Sequence, residues 1–111
     1  MEINGESVGE VSVVTARGRL DGAASGPFTE QVQALIAADS PRLLIDFSGI
    51  DFVTSAGLRA VLQILKRVKS SNGMFALCSV QKPVREVLDI TGFAGMIDIH
   101  PERASALRAL A

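Results

Sequence analysis

The stretch LLIDFSGIDFVTSAGLR, Leu43 to Arg59, decides how this chain folds. Leu43-Leu44-Ile45 is a short, unbroken apolar run that follows Pro41. Such a run fits a strand buried on both faces, as in a parallel sheet. Asp46 puts a carboxylate at the C-terminal end of that strand. Open α/β sheets gather their sites at this edge. Asp46 to Val53 reads as a loop. A helix is predicted from Ser55 to Ser71, with Leu58, Val61, Leu62, Leu65 and Val68 as its apolar stripe. Asn72-Gly73 ends it.

The hydroxyl pair Thr54-Ser55 stands where this helix begins. A hydroxyl there ordinarily caps the helix by accepting a free backbone N–H. Two features argue for more. Gly57 falls in the first turn, where glycine costs about 1 kcal/mol relative to alanine. No Glu or Gln completes a capping box. A bare hydroxyl beside Ala56 and the side-chain-free Gly57 is open to an approaching active site. A local rule broken at a helix start points to a functional constraint.

On the N-terminal side, Val11, Val13 and Val14 read as a strand. A shorter strand near Ile3 precedes it, with Gly5 to Gly9 as the turn. Gly18-Arg19-Leu20-Asp21-Gly22 breaks the pattern. A helix follows from Ala23 to Ala38, with Phe28, Val32, Leu35 and Ile36 on one face, and Pro41 stops it. On the C-terminal side, Met74 to Val80 reads as a strand. Pro83 opens a helix through Ile90, with Val84, Val87 and Leu88 inward and Gly92 as its stop. Met96 to Ile99 is a last short strand, and Pro101 opens a helix carrying Leu107 and Leu110. The order β-β-α-β-α-β-α-β-α implies βαβ units. The expected fold is α/β: a mixed, mostly parallel sheet of four to five strands packed with about four α-helices, in one domain over residues 1–111.

Composition narrows the chemistry. A length of 111 residues suits one domain. With 48% apolar and 21% charged residues, the chain has the reverse of a disordered composition. A net charge of −1 argues against a nucleic-acid binder. No apolar run approaches the ~20 residues of a membrane span. Met1 to Glu10 holds three glutamates and no apolar block, so it reads as neither a signal nor a transit peptide. The lone Cys78 cannot form an internal disulfide, which fits a reducing cytoplasm. The expectation is a cytoplasmic domain without membrane insertion and a monomer when free.

One cysteine and one histidine fall short of the about four ligands of a structural zinc site. His100, in an Ile-His-Pro turn, is the sole histidine for a Ser–His–Asp arrangement. Gly18, Gly22 and Gly26 lead to no Gly-Lys-Ser/Thr and form no G-x-G-x-x-G. Trp and Tyr are absent, which removes a stacking platform for bases. No metal, no cofactor and no enzymatic activity are expected. Cys78, Phe47, Phe52, Phe75 and Phe93 read as core.

Charge is distributed unevenly. From Phe52 to Arg85 there is no acidic residue, while Arg59, Lys66, Arg67, Lys69, Lys82 and Arg85 give that segment +6. This is either a solvated helix face or a positive surface beside Ser55 that meets an acidic partner. A phosphate on Ser55 would also be stabilised by the helix N-terminus.

Asp46-Phe47-Ser48 followed by Phe52-Val53-Thr54-Ser55-Ala56-Gly57-Leu58 resembles the signature of STAS domains, and within them bacterial anti-sigma factor antagonists. Gly18-Arg19-Leu20-Asp21 matches the family's Gly-x-Leu-Asp after the second strand. Ile90-Thr91-Gly92-Phe93, Ile97 and the helix with Ala104 and Leu107 match its C-terminal pattern. The resemblance runs through essentially the whole chain.

The resemblance implies a partner switch. The unphosphorylated protein binds an anti-sigma factor, a serine kinase with a histidine-kinase-like ATPase fold, and so frees the sigma factor. Phosphorylation of the serine matching Ser55 ends binding, and a metal-dependent serine phosphatase restores it. Carried over by position, Ser55 is the phosphoacceptor. Asp21 matches a family aspartate near that serine, Asp46 and Ser48 match the loop framing the site, and Leu58 matches the first buried helix residue. The expected docking surface comprises Asp21, Thr54, Ser55, Ala56, Gly57 and Arg59. Thr54 replaces the Asp of many members, which weakens local orientation of the acceptor and leaves Thr54 open as a substitute. Ala56 replaces a second hydroxyl. Two alternatives stand beside this reading: a STAS subunit docking on a transport ATPase or other assembly without phosphorylation, and a nucleotide sensor, for which the chain offers no phosphate loop.

Overall fold

A computed structural model describes residues Met1–Ala111. Its strands are β1 (Glu2–Val8), β2 (Val11–Leu20), β3 (Arg42–Val53), β4 (Met74–Cys78) and β5 (Asp98–His100). Its helices are α1 (Gly22–Ala34), α2 (Ser55–Ser70), α3 (Lys82–Thr91) and α4 (Arg103–Leu110). The five strands lie in the order β1-β2-β3-β4-β5. β1 pairs antiparallel with β2, and every other pairing is parallel. The element order and the mixed, mostly parallel sheet are those expected from the sequence.

Alternation along the strands divides the core. Val14, Ala16, Ile45 and Phe47 face one side and meet Phe28 and Val32 of α1, Val61 and Ile64 of α2, and Val84 and Leu88 of α3. Val13, Leu44, Ala76 and Cys78 face the other side and meet Ala106 and Leu110 of α4, with the partly buried Leu107 beside them. One leucine the size of Leu110, fully buried, contributes about 2 kcal/mol. That is a small apolar anchor for a helix whose residues each cost about 1–2 kcal/mol to order.

Several boundaries differ from expectation. Asp46 to Val53 is not a loop, because β3 continues to Val53. Beyond Asp46 it still pairs with β2, through register shifts between Thr15 and Arg17 and between Gly18 and Arg19. Gly49 permits this close pairing, since a Cβ there would lie 2.9 Å from the Ala16 carbonyl oxygen. Gly5 to Gly9 is not the first turn either, because β1 runs through Gly5 and turns at Gly9, which has φ +60. The first helix ends at Ala34 rather than Ala38. Met96 and Ile97 precede β5, following a short 3₁₀ turn at Phe93–Gly95. His100 is therefore a strand residue rather than a turn residue.

Candidate functional site

Two helices begin side by side at one edge of the sheet. Leu20, the last residue of β2, is the register partner of Val53, the last of β3. Asp21 and Thr54 follow at once, and each caps the next helix. The Asp21 carboxylate accepts from Ala24 N–H at 3.1 Å. The Thr54 hydroxyl accepts from Gly57 N–H at 3.3 Å. The Thr54 N–H donates back to the Leu20 carbonyl at 3.1 Å, which ties the two starts together.

Thr54 therefore takes the capping role, and Ser55 becomes the first helical residue. Ser55 is exposed, and its hydroxyl has no hydrogen-bond partner within the protein. The explanation of Gly57 also changes. It is buried rather than open to a visitor. A Cβ there would lie 2.9 Å from both Leu20 Cγ and Val53 Cγ2 and would run into the Leu20 carbonyl oxygen. Gly57 lets α2 start against the end of β2, and Leu58 behind it is buried as expected.

Ala56 is half-buried and lines a groove between α1 and α2. Ser25, Gly26, Thr29 and Glu30 form its α1 wall, and Ala56, Arg59, Ala60 and Gln63 its α2 wall. Arg59 is exposed, and no ion pair in the chain involves it. The outer surface of α2 continues with exposed Lys66, Arg67 and Lys69. Arg67 and Lys69 sit in its last turn, where cations favour the helix dipole. Arg85 is paired with Asp89 at 3.1 Å. Asp21, Thr54, Ser55, Ala56 and Arg59 thus gather around the start of α2, while Gly57 supports them from below.

Asp46 does not belong to this site. It lies within β3, has the same strand parity as Leu44, and faces α4. Its carboxylate accepts from Ser48 N–H at 2.8 Å and from Arg103 Nη2 at 2.9 Å. Arg103 also donates to Thr15 Oγ1 at 3.1 Å and to Glu6 Oε1 at 2.9 Å. Burial pushes the Asp46 carboxyl up, but the bonds from Ser48 and Arg103 outweigh it and hold the group below its ordinary value. The bond from Ser48 is local, two residues along the chain. Arg103 leaves no local signal in the sequence, because 57 residues separate it from Asp46 in the chain. Ser48 also stands away from Ser55, and its carbonyl accepts from Gln81 Nε2 at 2.7 Å.

Phe52 is 40% exposed and does not join the core. Its ring carries the Arg19 guanidinium at 4.1 Å from the centroid, a cation–π contact between register partners. Arg19 shares a groove with Asp21 beside the start of α1. Periodicity alone does not reveal this pair, because it depends on the β2–β3 register. No helix is long and apolar enough to cross a membrane, and no three His, Cys, Asp or Glu side chains cluster as metal ligands would.

The class of this fold, with its helix starts paired at one edge of the sheet, comes from comparison with known proteins. The STAS domain model matches residues 2–106, and the chain belongs to that family. Among its relatives, a Bordetella bronchiseptica protein named as an anti-sigma factor antagonist, BtrV, is 33% identical over 94 residues, or 81% of each chain. An anti-sigma F factor antagonist of Paenibacillus polymyxa is 27% identical over 90% of this chain and 86% of its own. A solved STAS domain protein of Planctomyces limnophilus, described as an anti-sigma-factor antagonist, superposes with a TM-score of 0.87 at 26% identity, covering 97% of both chains.

Proposed function

We propose that this protein is an anti-sigma factor antagonist switched by phosphorylation of Ser55. Unmodified, it binds an anti-sigma factor serine kinase of the histidine-kinase-like ATPase fold and so releases a sigma factor. The observation that carries the reading is the free, exposed Ser55 hydroxyl, released from capping by Thr54. In the transfer, the γ-phosphoryl group of ATP passes to Ser55 Oγ. The hydroxyl proton leaves to a base on the kinase, and ADP departs. A serine phosphatase hydrolyses the phosphate and restores the hydroxyl.

Phosphate adds about −1.5 to −2 charges at pH 7. The unmodified docking surface presents Arg59 and, further along α2, Lys66, Arg67 and Lys69. This surface suits an acidic partner, and new negative charge at its tip opposes that partner while adding a desolvation cost. A loss of about 3 kcal/mol is already more than a hundredfold in affinity.

The test begins with peptide mapping of protein from its native cells, with and without phosphatase treatment, across growth and stress conditions. One phosphate on Ser55 supports the switch. Its consistent absence sinks the switch and favours a docking subunit that works unmodified. In a capture assay from those cells, Ser55→Ala is expected to retain the kinase and Ser55→Asp to lose it. Both variants should keep the parent's circular dichroism spectrum.

A further inference from the structure

Arg59 lies one helical turn beyond Ser55 on α2. Side chains at i and i+4 on a helix are neighbours, with Cβ atoms about 5–6 Å apart, and an anion N-terminal to a cation is the favourable order. Both residues are exposed. The chain's ion pairs are Arg85–Asp89, Arg103–Glu6 and Arg103–Asp46, so the Arg59 guanidinium is free. α2 carries no carboxylate of its own. Glu30, on the α1 wall, is the one acid lining the groove with Arg59, and no ion pair joins them.

Resting on the phosphorylation reading, we propose that Arg59 captures the Ser55 phosphate within the same chain. A guanidinium offers a planar fork of donors that matches phosphate oxygens two at a time. In the unmodified protein this cation stands at the mouth of the α1–α2 groove, available to an acidic partner. In the phosphorylated protein it is engaged at home. Phosphorylation then acts twice at one spot, by adding negative charge and by withdrawing a docking cation. The backbone need not move, because Thr54 keeps the cap while Ser55 carries the phosphate.

The test uses the full chain with phosphoserine installed at position 55 during translation, so no kinase is required. Phosphorus NMR then follows the second ionisation of the phosphate. The charged residues closest along the chain or lining the adjoining grooves are Arg59 on α2, Glu30 on α1, Asp21 at its cap, Arg19 near the end of β2 and Asp51 near the end of β3. All but Arg59 stay constant in the comparison. Arg59→Gln is expected to raise the phosphate pKa by roughly 0.2–0.4 unit, the size of an exposed i,i+4 ion pair. Arg59→Lys should recover part of that shift, and Lys66→Gln should leave it unchanged. Equal values in the parent and Arg59→Gln chains overturn the capture. Peptide mapping from cells judges the switch itself, so the two ideas fail by different measurements.

Discussion

At the scale of single residues, the start of α2 assigns different work to neighbouring small side chains. Thr54 caps, Ser55 is free, and Gly57 fits against Leu20 and Val53. Gly57→Ala is expected to cost about 1–3 kcal/mol, the range for overpacking a filled site. The obstacle is the Leu20 backbone as well as side chains. Urea unfolding would measure it, and an unchanged midpoint would sink this account of the glycine. Thr54→Ala should cost about 1 kcal/mol through the lost cap, whereas Ser55→Ala should change stability by less than about 0.5 kcal/mol. Equal losses from the two substitutions would mean that both hydroxyls cap. The sequence shows that a hydroxyl begins this helix, but in the pair Thr54-Ser55 a shift of one residue exchanges cap and free group. Composition holds no signal for that choice. It is settled by where the strand ends, at Val53.

At the scale of elements, α4 is held to the sheet by a polar anchor as much as by apolar contact. Arg103 reaches β1, β2 and β3 through Glu6, Thr15 and Asp46. Bonding to Asp46 pushes the Arg103 guanidinium up against the opposing effect of burial, and the group stays charged. The Arg103 side chain is 37% exposed, so solvent screens the pair. Arg103→Ala is expected to cost about 1–2 kcal/mol, well under the loss seen for fully buried pairs. The folded Asp46 pKa lies below its ordinary value. The stabilisation is therefore fully present above the unfolded carboxyl's pKa of about 3.9 and is lost as pH falls through the folded value. Asp46→Asn should flatten the stability–pH curve below about pH 4, and an unaltered acid limb would reject the anchor. The strands and helices themselves were legible from apolar periodicity. The outer half of β3 was not, because Ser48, Gly49 and Asp51 carry turn chemistry and their strand conformation comes from pairing with β2.

At the scale of the whole molecule, Cys78 reports on global opening. It is fully buried between the central strands and α4. Burial, then the nearby Asp46 carboxylate, pushes its thiol up, away from the reactive thiolate. A thiol reagent should modify the folded protein only at the rate at which it opens, faster in Arg103→Ala than in the parent. Rapid labelling of the native protein would show that α4 does not cover the sheet. The lone cysteine in an apolar strand made its burial legible, whereas the face it occupies depended on placing α4, which local periodicity does not do. The seating of α2 also separates what is fixed from what is free. Gly57 and Leu58 are locked beneath the helix, while Ala56, Arg59 and Gln63 line an open groove over the same turns. Substitution of the exposed Arg59 and Gln63 is expected to leave the scaffold intact. Duplicated copies of such a gene can therefore diverge in partner choice and become insulated from one another, each keeping to its own partner, without first passing through an unfolded ancestor.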